Sequence, residues 1–399
     1  MPERLYYTDS LLISFDATVR SCEPADGGRF SVELDSTAFY PTSGGQPFDT
    51  GRLGAGRVVD VVETDDGRIV HVVDAPVSAG SAVHGDVDWT RRFDHMQQHT
   101  GQHMLSAAFD RLHGARTLSF HLGADSATID LSREVTPAEI AEAERDVNRV
   151  VWEDRLVHVR FATEDEASRL PLRKDPARTG MLRLVEVADY DLSACGGTHV
   201  PRTGMIGIIA VSAWERFKGG SRVSFVCGGR ALDTFDRLRD VVQGATRSLS
   251  VAAAEITPTI ERLRADAKEQ SRLVRQLQEE TAAHRAVALR KNAETIGGYR
   301  VVLREEPGWD AAALKTLALA VVSEPGLVAI LVGSGRPVPA VMARSSDVGF
   351  DANACMGRAT ASLGGRGGGR PELAQGGLAA DGPQVLTFLR QALGAGGNS

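Results

Sequence analysis

The sequence predicts an α+β protein built as a small N-terminal β-barrel, an α+β domain, a helical hairpin linker and a C-terminal α/β domain. Three observations predict it. Residues 1–90 string short β-branched runs between Gly, Asp and Pro turns. Residues 91–230 combine strong helical periodicity with further strand runs. Residues 231–295 turn charged and helical before strands return in 296–399. A chain of 399 residues has the length for several domains with their own cores.

In order, "LLISFDATVRSC", "RFSVELDS" and "RIVHVVDA" read as barrel strands. A helix is expected from Phe93 to His113, with apolar positions at Met104, Leu105, Ala108, Phe109 and Leu112. A second follows in "TPAEIAEAERDVNRVVWED", where Thr136 is placed as N-cap and Glu139 completes a capping box. Strand runs resume in "LVHVRFAT", "MLRLVEVADY", "IGIIAVSAWERF" and "SRVSFVCG". In the charged segment Ile260, Leu263, Ala267, Val274 and Leu277 keep a 3–4 spacing, while Gln270, Thr281 and His284 interrupt the seam. Pro258 is expected to mark a break between two helices there. The last part reads as strand "YRVVLREE", helix "AAALKTLALAVV", strands "GLVAILVGS" and "PAVMARSS", a glycine-rich stretch and a final amphipathic helix "QVLTFLRQAL".

A net charge of −7 argues against a generalised nucleic-acid binder and leaves room for a local basic stripe. Four widely spaced cysteines (Cys22, Cys195, Cys227, Cys355) are no disulfide framework and fit a reducing compartment. No segment reads as a membrane span or secretory leader, so a cytoplasmic location is expected.

The chemistry gathers in two short motifs. His99 and His103 in "HTGQH" share one helix face, a metal-binding geometry that is weak evidence alone. Cys195 and His199 in "CGGTH" repeat the separation, with two glycines that favour a tight loop. Thiolate plus imidazole is a zinc-selective set, and the two halves together supply four ligands. Four protein ligands suit a closed structural site; catalysis there needs a fifth ligand, or a metal that positions rather than hydrolyses. A zinc protease would carry Glu directly after the first His or before the second. Here those positions are Thr100 and Gln102, which argues against amide hydrolysis and leaves a more labile ester.

"HTGQHMLSAAF", "CGGTHVPRTGMIGI" and "FYPTSGGQPFDTG" together resemble the editing domain of alanyl-tRNA synthetases and of the free-standing alanyl-tRNA editing proteins of the long AlaX type. "LGGRGGGRPELAQGG" resembles the C-terminal domain that alanyl-tRNA synthetase shares with DHH-type phosphoesterases. The resemblance implies a zinc-containing editing domain over 91–230 and a DHH-associated domain over 296–399 that binds tRNA or dimerises. It also implies kinship with nucleotide- and ATP-binding synthetases. The implied activity is hydrolysis of Ser-tRNA(Ala), and of Gly-tRNA(Ala) as a further substrate. A synthetase pocket rejects an added hydroxyl poorly, so serine has to be removed afterwards. His99, His103, Cys195 and His199 match the family's zinc ligands. Gly44, Gly45 and Gln46 match the glycine motif beside the editing pocket, although Ser43 stands where many free-standing editors have a third glycine. The strand "TLSFHLG" resembles the wall of the amino-acid pocket, and alternation puts Thr117, Ser119 and His121 on one side of it.

For the tRNA acceptor end, Arg202, Arg216, Lys218, Arg222 and Arg230 stand against one acid, Glu215, within 202–230. Arg366 and Arg370 among glycines are expected to cradle phosphate or the tRNA elbow. A homodimer through the linker or C-terminal domain is a further expectation. The rival reading is a non-catalytic tRNA-binding module with a structural zinc. A phosphoesterase is disfavoured because the chain lacks a DHH aspartate–histidine cluster.

Overall fold

A computed structural model of the chain describes residues 2–174 and 180–395. It divides into two compact units, Met1–Gly244 and Ala245–Ser399.

The first unit opens on six strands: β1 (Ser14–Ala25), β2 (Arg29–Leu34), β3 (Gly51–Leu53), β4 (Gly56–Glu63), β5 (Ile69–Val73) and β6 (Ala82–Val87). They close into a barrel in the order β1-β2-β5-β4-β3-β6. Period-two alternation turns Phe15, Ala17 and Val19 inward, where they meet Val32, Leu34, Leu53, Val61, Ile69 and Val73. Closure leaves no exposed sheet edge.

Helix α1 (Trp89–His113) leaves the barrel directly. It starts a turn before the expected Phe93, because the Asp88 carboxylate caps the amides of Thr90 and Arg91. Gly114 ends it in the left-handed region at φ 61°. Residues 95–109 of α1 are all buried, so this helix is the spine of the unit. Strands β7 (Thr117–Leu122) and β8 (Ala127–Leu131) follow, then α2 (Pro137–Trp152) with the expected Thr136–Glu139 capping box. β9 (Val157–Ala162), β10 (Leu182–Val187) and β11 (Asp191–Ala194) form a three-stranded sheet in that order. β12 (Ile209–Phe217) and β13 (Gly220–Cys227) complete a four-stranded sheet ordered β12-β13-β8-β7.

Barrel and spine are tied by an ion pair sealed from water. Arg92 and Asp49 side chains are both 0 % exposed, and the pair closes at 2.5 Å. Arg92 also donates to the carbonyls of Ser10 and Ala38, while Asp49 accepts the Tyr40 amide. Removing one partner strands the other charge in the interior. Asp49→Ala is therefore expected to destabilise the first unit by about 3–5 kcal/mol. Urea denaturation checks this, and a loss under about 1 kcal/mol would show the pair to be dispensable.

The charged segment holds two helices, α3 (Gly229–Leu249) and α4 (Ile256–Lys291). The break falls at residues 250–255, where Ser250 adopts φ 54°, and not at Pro258. Pro258 lies in the first turn of α4, where a missing N–H costs nothing because those amides have no helical partner. At 36 residues α4 runs unbroken for about 54 Å, so no hairpin forms within it.

The last part is a six-stranded sheet of β14 (Glu294–Ile296), β15 (Tyr299–Glu305), β16 (Leu327–Val332), β17 (Val338–Arg344), β18 (Gly365–Arg370) and β19 (Leu373–Leu378), ordered β14-β15-β16-β17-β19-β18. Its helices are α5 (Ala311–Val321), α6 (Ala352–Leu363) and α7 (Gly382–Ala395). The glycine-rich stretch forms regular structure. It is a β18–β19 hairpin at the sheet edge, with Arg366 and Arg370 exposed on β18. Its glycines have a packing reason: a Cβ on Gly367 or Gly376 would stand 3.0 Å from the Met356 sulfur of α6. No helix among the described residues is long and apolar enough to cross a membrane.

Candidate metal centre

α1 brings His99 and His103 to one face, and the turn after β11 brings Cys195 and His199 against them. The four ligand atoms all lie within 4.8 Å of one another. Sγ of Cys195 is 3.4 Å from Nε2 of both His99 and His199. The three histidines are between 1 % and 5 % exposed.

Each imidazole is held from behind through Nδ1. His99 Nδ1 is 2.8 Å from the Gln46 side-chain oxygen, and His103 Nδ1 is 3.2 Å from the Asp191 carboxylate. Both partners only accept, so the proton sits on Nδ1 and the Nε2 lone pair faces the cluster. His199 Nδ1 lies 3.2 Å from the Thr100 hydroxyl, which also accepts the Val200 amide. Burial works against a charged Cys195, yet the imidazoles of His99, His103 and His199 outweigh it and hold the thiol well below its ordinary pKa. Burial pushes His199 down to about 3, keeping it neutral. Burial also opposes charge on Asp191, but the His103 hydrogen bond and Arg173 bring it down to about 2. Burial opposes a charge on His103, but the Cys195 thiolate and Asp191 outweigh it and raise His103 to about 9, so binding a metal there displaces a proton. A thiolate and three imidazoles, each oriented by a second hydrogen bond, fit a tetrahedral zinc ion.

Gln46 is bonded to the cluster's own residues. It is 0 % exposed, and its amide is consumed by His99 and by Thr198, donating at 2.8 Å and accepting the Thr198 amide at 3.1 Å. Gly44 and Gly45 sit exposed beside it at φ 53° and 84°, a backbone that only glycine adopts easily. A Cβ on Gly45 would also stand 2.7 Å from the Phe120 ring, which in turn packs 5.8 Å from His99.

The expected single face of Thr117, Ser119 and His121 does not form. A β-bulge lies between the pairs Thr117–Leu131 and Ser119–Asp130, and it inverts the alternation. Thr117 donates to Ser106 on α1, which also accepts from Gln102, each at 2.8 Å. Ser119 instead donates to Asp130 at 2.6 Å, and His121 is exposed. Phe120 takes the inward place.

The basic segment is less free than its composition suggests. Arg202 pairs with Asp154, Arg216 with Glu134, Arg222 with Asp130 and Arg230 with Asp94. All four acids come from outside the segment, which is why counting charges within 202–230 missed them. Lys218 stands 5.0 Å from the Phe217 ring.

Asp191, Arg173, Thr100, Phe120 and Arg183 were not anticipated as site residues. Asp191 had a signal: Asp191, Ser193 and Cys195 share one parity along the strand. Gln46→Ala and Asp191→Ala each free one imidazole to rotate, so each is expected to weaken zinc binding about 10–100-fold. Competition against a chromogenic chelator measures this, and affinities within about threefold of wild type would refute the supporting role.

A barrel feeding an α+β unit with this cluster is the design of a synthetase-type editing module, and the comparisons agree. Residues 182–224 match the threonyl and alanyl tRNA synthetase second additional domain, and residues 262–395 match the DHHA1 domain. The alanyl-tRNA editing protein AlaX-L of Pyrococcus horikoshii is 30 % identical over 407 residues, covering 98 % of each chain. The chain belongs to the alanyl-tRNA editing protein family. The alanine–tRNA ligase of Pyrococcus abyssi is 33 % identical over 93 % of this chain, and that of Methanothrix thermoacetophila 34 % over 99 %. The chain spans only 41 % and 44 % of those ligases. The solved C-Ala domain of Aquifex aeolicus alanyl-tRNA synthetase aligns with 26 % of this chain and 97 % of its own at 22 % identity, with a TM-score of 0.24, too low to bear on the fold.

Proposed function

We propose that this protein is a zinc-dependent deacylase that releases serine from Ser-tRNA(Ala). The observation that carries the reading is the convergence of the His99, His103, Cys195 and His199 ligand atoms within 4.8 Å. Zinc held there supplies Lewis acidity toward an ester carbonyl or water.

The chain's own residues set the rest. Gln46, Asp191 and Thr100 fix the three imidazoles, and Gly44 and Gly45 let the loop backbone approach the substrate. The carboxylate against the cluster, Asp191, is taken by His103, Arg173 and Ser193 and is not free to act as base. This favours the terminal ribose hydroxyl of the substrate as proton acceptor. Water adds to the ester carbonyl, the bond to the ribose oxygen breaks, and that oxygen takes the proton. An ester permits this where a peptide, with its poorer leaving group, does not. Serine is favoured by the polar line of Gln102, Ser106 and Thr117. The Gln102 side-chain oxygen is buried without a partner and suits a hydroxyl donor.

In this reading the parts are the barrel (1–90), the editing domain (91–230), the helical linker (231–295) and the DHHA1-type domain (296–399). Lys218, Arg366 and Arg370 contact tRNA phosphates, with Arg202, Arg216 and Arg222 in a weaker, ion-paired role. A cytoplasmic location and self-association through the linker or C-terminal domain belong to the same reading. The test is to follow amino-acid release from Ser-, Gly- and Ala-tRNA(Ala). Serine is expected to leave at least about 100-fold faster than alanine, the scale on which a recognised hydroxyl discriminates. Equal release of both would defeat the proposal.

A further inference from the structure

Arg183 is the second residue of β10, is 7 % exposed, and sits against the loop that carries Cys195. Its Nε donates to the Tyr7 carbonyl at 2.9 Å, and Nη1 donates to the carbonyls of Cys195 and Gly197 at 2.7 and 2.9 Å. Nη2 is buried with no partner. The other deeply buried arginine near the site's spine, Arg92, has a carboxylate, and so does Arg173. Arg183 has none among the described residues. A guanidinium stays charged at any working pH, so a buried one with three backbone acceptors and an idle donor lacks its counter-anion. The Cys195 thiolate acts on it, but the metal cluster claims that charge. A divalent cation among those ligands leaves the neighbourhood with an excess of positive charge.

We infer that Arg183 is the oxyanion-binding group for the phosphodiester of the substrate's 3′-terminal nucleotide. The inference rests on the deacylase reading above. The placement suits that substrate: the ester to be cut and the 5′ phosphate of the same nucleotide are one ribose apart. Arg183 is bonded to the backbone of Cys195, whose sulfur belongs to the cluster. The Tyr7 ring lies over the guanidinium, 5.4 Å from centroid to Cζ, with its hydroxyl held by Arg4 Nη1 at 3.0 Å. Tyr7 is half-buried, and on this account it moves aside for an oxyanion to reach Nη2. On this account Arg183 is a positioning residue: it aligns the terminal nucleotide and takes no part in bond cleavage.

The test compares AMP with adenosine, binding each to the zinc-loaded full-length protein by calorimetry. A charge-assisted contact predicts AMP binding about tenfold or more tighter than adenosine in wild type, and within about twofold of it in Arg183→Gln. Equal binding of the two probes by wild type would overturn the inference. So would an Arg183→Gln protein of unchanged zinc content and melting temperature that keeps the AMP preference. Should that variant lose zinc, Arg183→Lys decides. It is expected to cut the AMP preference at least about threefold with adenosine affinity unchanged, since a compact ammonium cannot span the same fork. An undiminished preference in Arg183→Lys would equally overturn it. A protein that deacylates Ser-tRNA(Ala) yet binds both probes equally loses only this inference, whereas one with no deacylation loses the functional reading as well.

Discussion

Cys195→Ala is expected to leave a folded protein that has lost its zinc and its deacylation together. Sγ supplies the cluster's formal negative charge and lies 3.4 Å from two of the three imidazoles, so no neighbour can replace it. Zinc affinity should fall by more than about 100-fold, beyond what loss of a merely supporting partner costs. Serine release should fall at least as far. The fold should survive because the core around α1 is made by Met96, Met104, Leu105, Phe109, Ile129, Val147 and Phe225, while Cys195 packs only at its margin. Elemental analysis, circular dichroism and the release assay on one preparation separate the cases. A variant that unfolds points to a structural zinc, and one that keeps full activity removes the cluster from the reaction.

Gly197→Ala is expected to be nearly as damaging without replacing any of the four cluster residues. A Cβ there would stand 2.1 Å from His99 Cε1, 2.3 Å from its Nδ1 and 3.0 Å from the Gln46 side-chain oxygen. Neither side can yield cheaply. The ring is fixed by Gln46, and the Gly197 carbonyl is fixed by Arg183 at 2.9 Å. The added methyl must break one of those bonds, so zinc affinity should fall by about 100-fold, as for the strongest supporting partners. Gly196→Ala is the matched control. Its Cβ meets nothing nearer than the Tyr7 hydroxyl at 3.4 Å, and zinc binding should change less than about twofold. If both variants bind zinc equally well, the close packing around His99 is not what holds the site.

The candidate ligands were legible in the sequence because their spacing is local: i, i+4 on a helix and i, i+4 across a tight loop. The barrel was legible from alternation, and the Thr136 cap from its box. What supports the ligands was not, because it arrives from distant segments. Gln46 reaches His99 from the barrel side of the chain, 53 residues away, a bond no local spacing announces. The arginines of 202–230 find their acids in α1, β8 and the surrounding loops, invisible to a count made within one segment. A single β-bulge reversed the strand face at Ser119 and His121, since a period of two has no tolerance for one extra residue. α6 is hard to read from sequence because its buried face is small (Ala352, Cys355, Met356, Ala359), and the strand that this face packs on is built largely of glycine, which carries no alternation.

The most direct test of the central claim is serine release from Ser-tRNA(Ala) by one preparation measured three times: as purified, after a chelator has removed its metal, and after one equivalent of zinc is restored. The account predicts release that falls to the buffer rate on chelation and returns with zinc, with Ala-tRNA(Ala) left largely intact throughout. Serine release that persists at full rate in the metal-free, folded protein would contradict it.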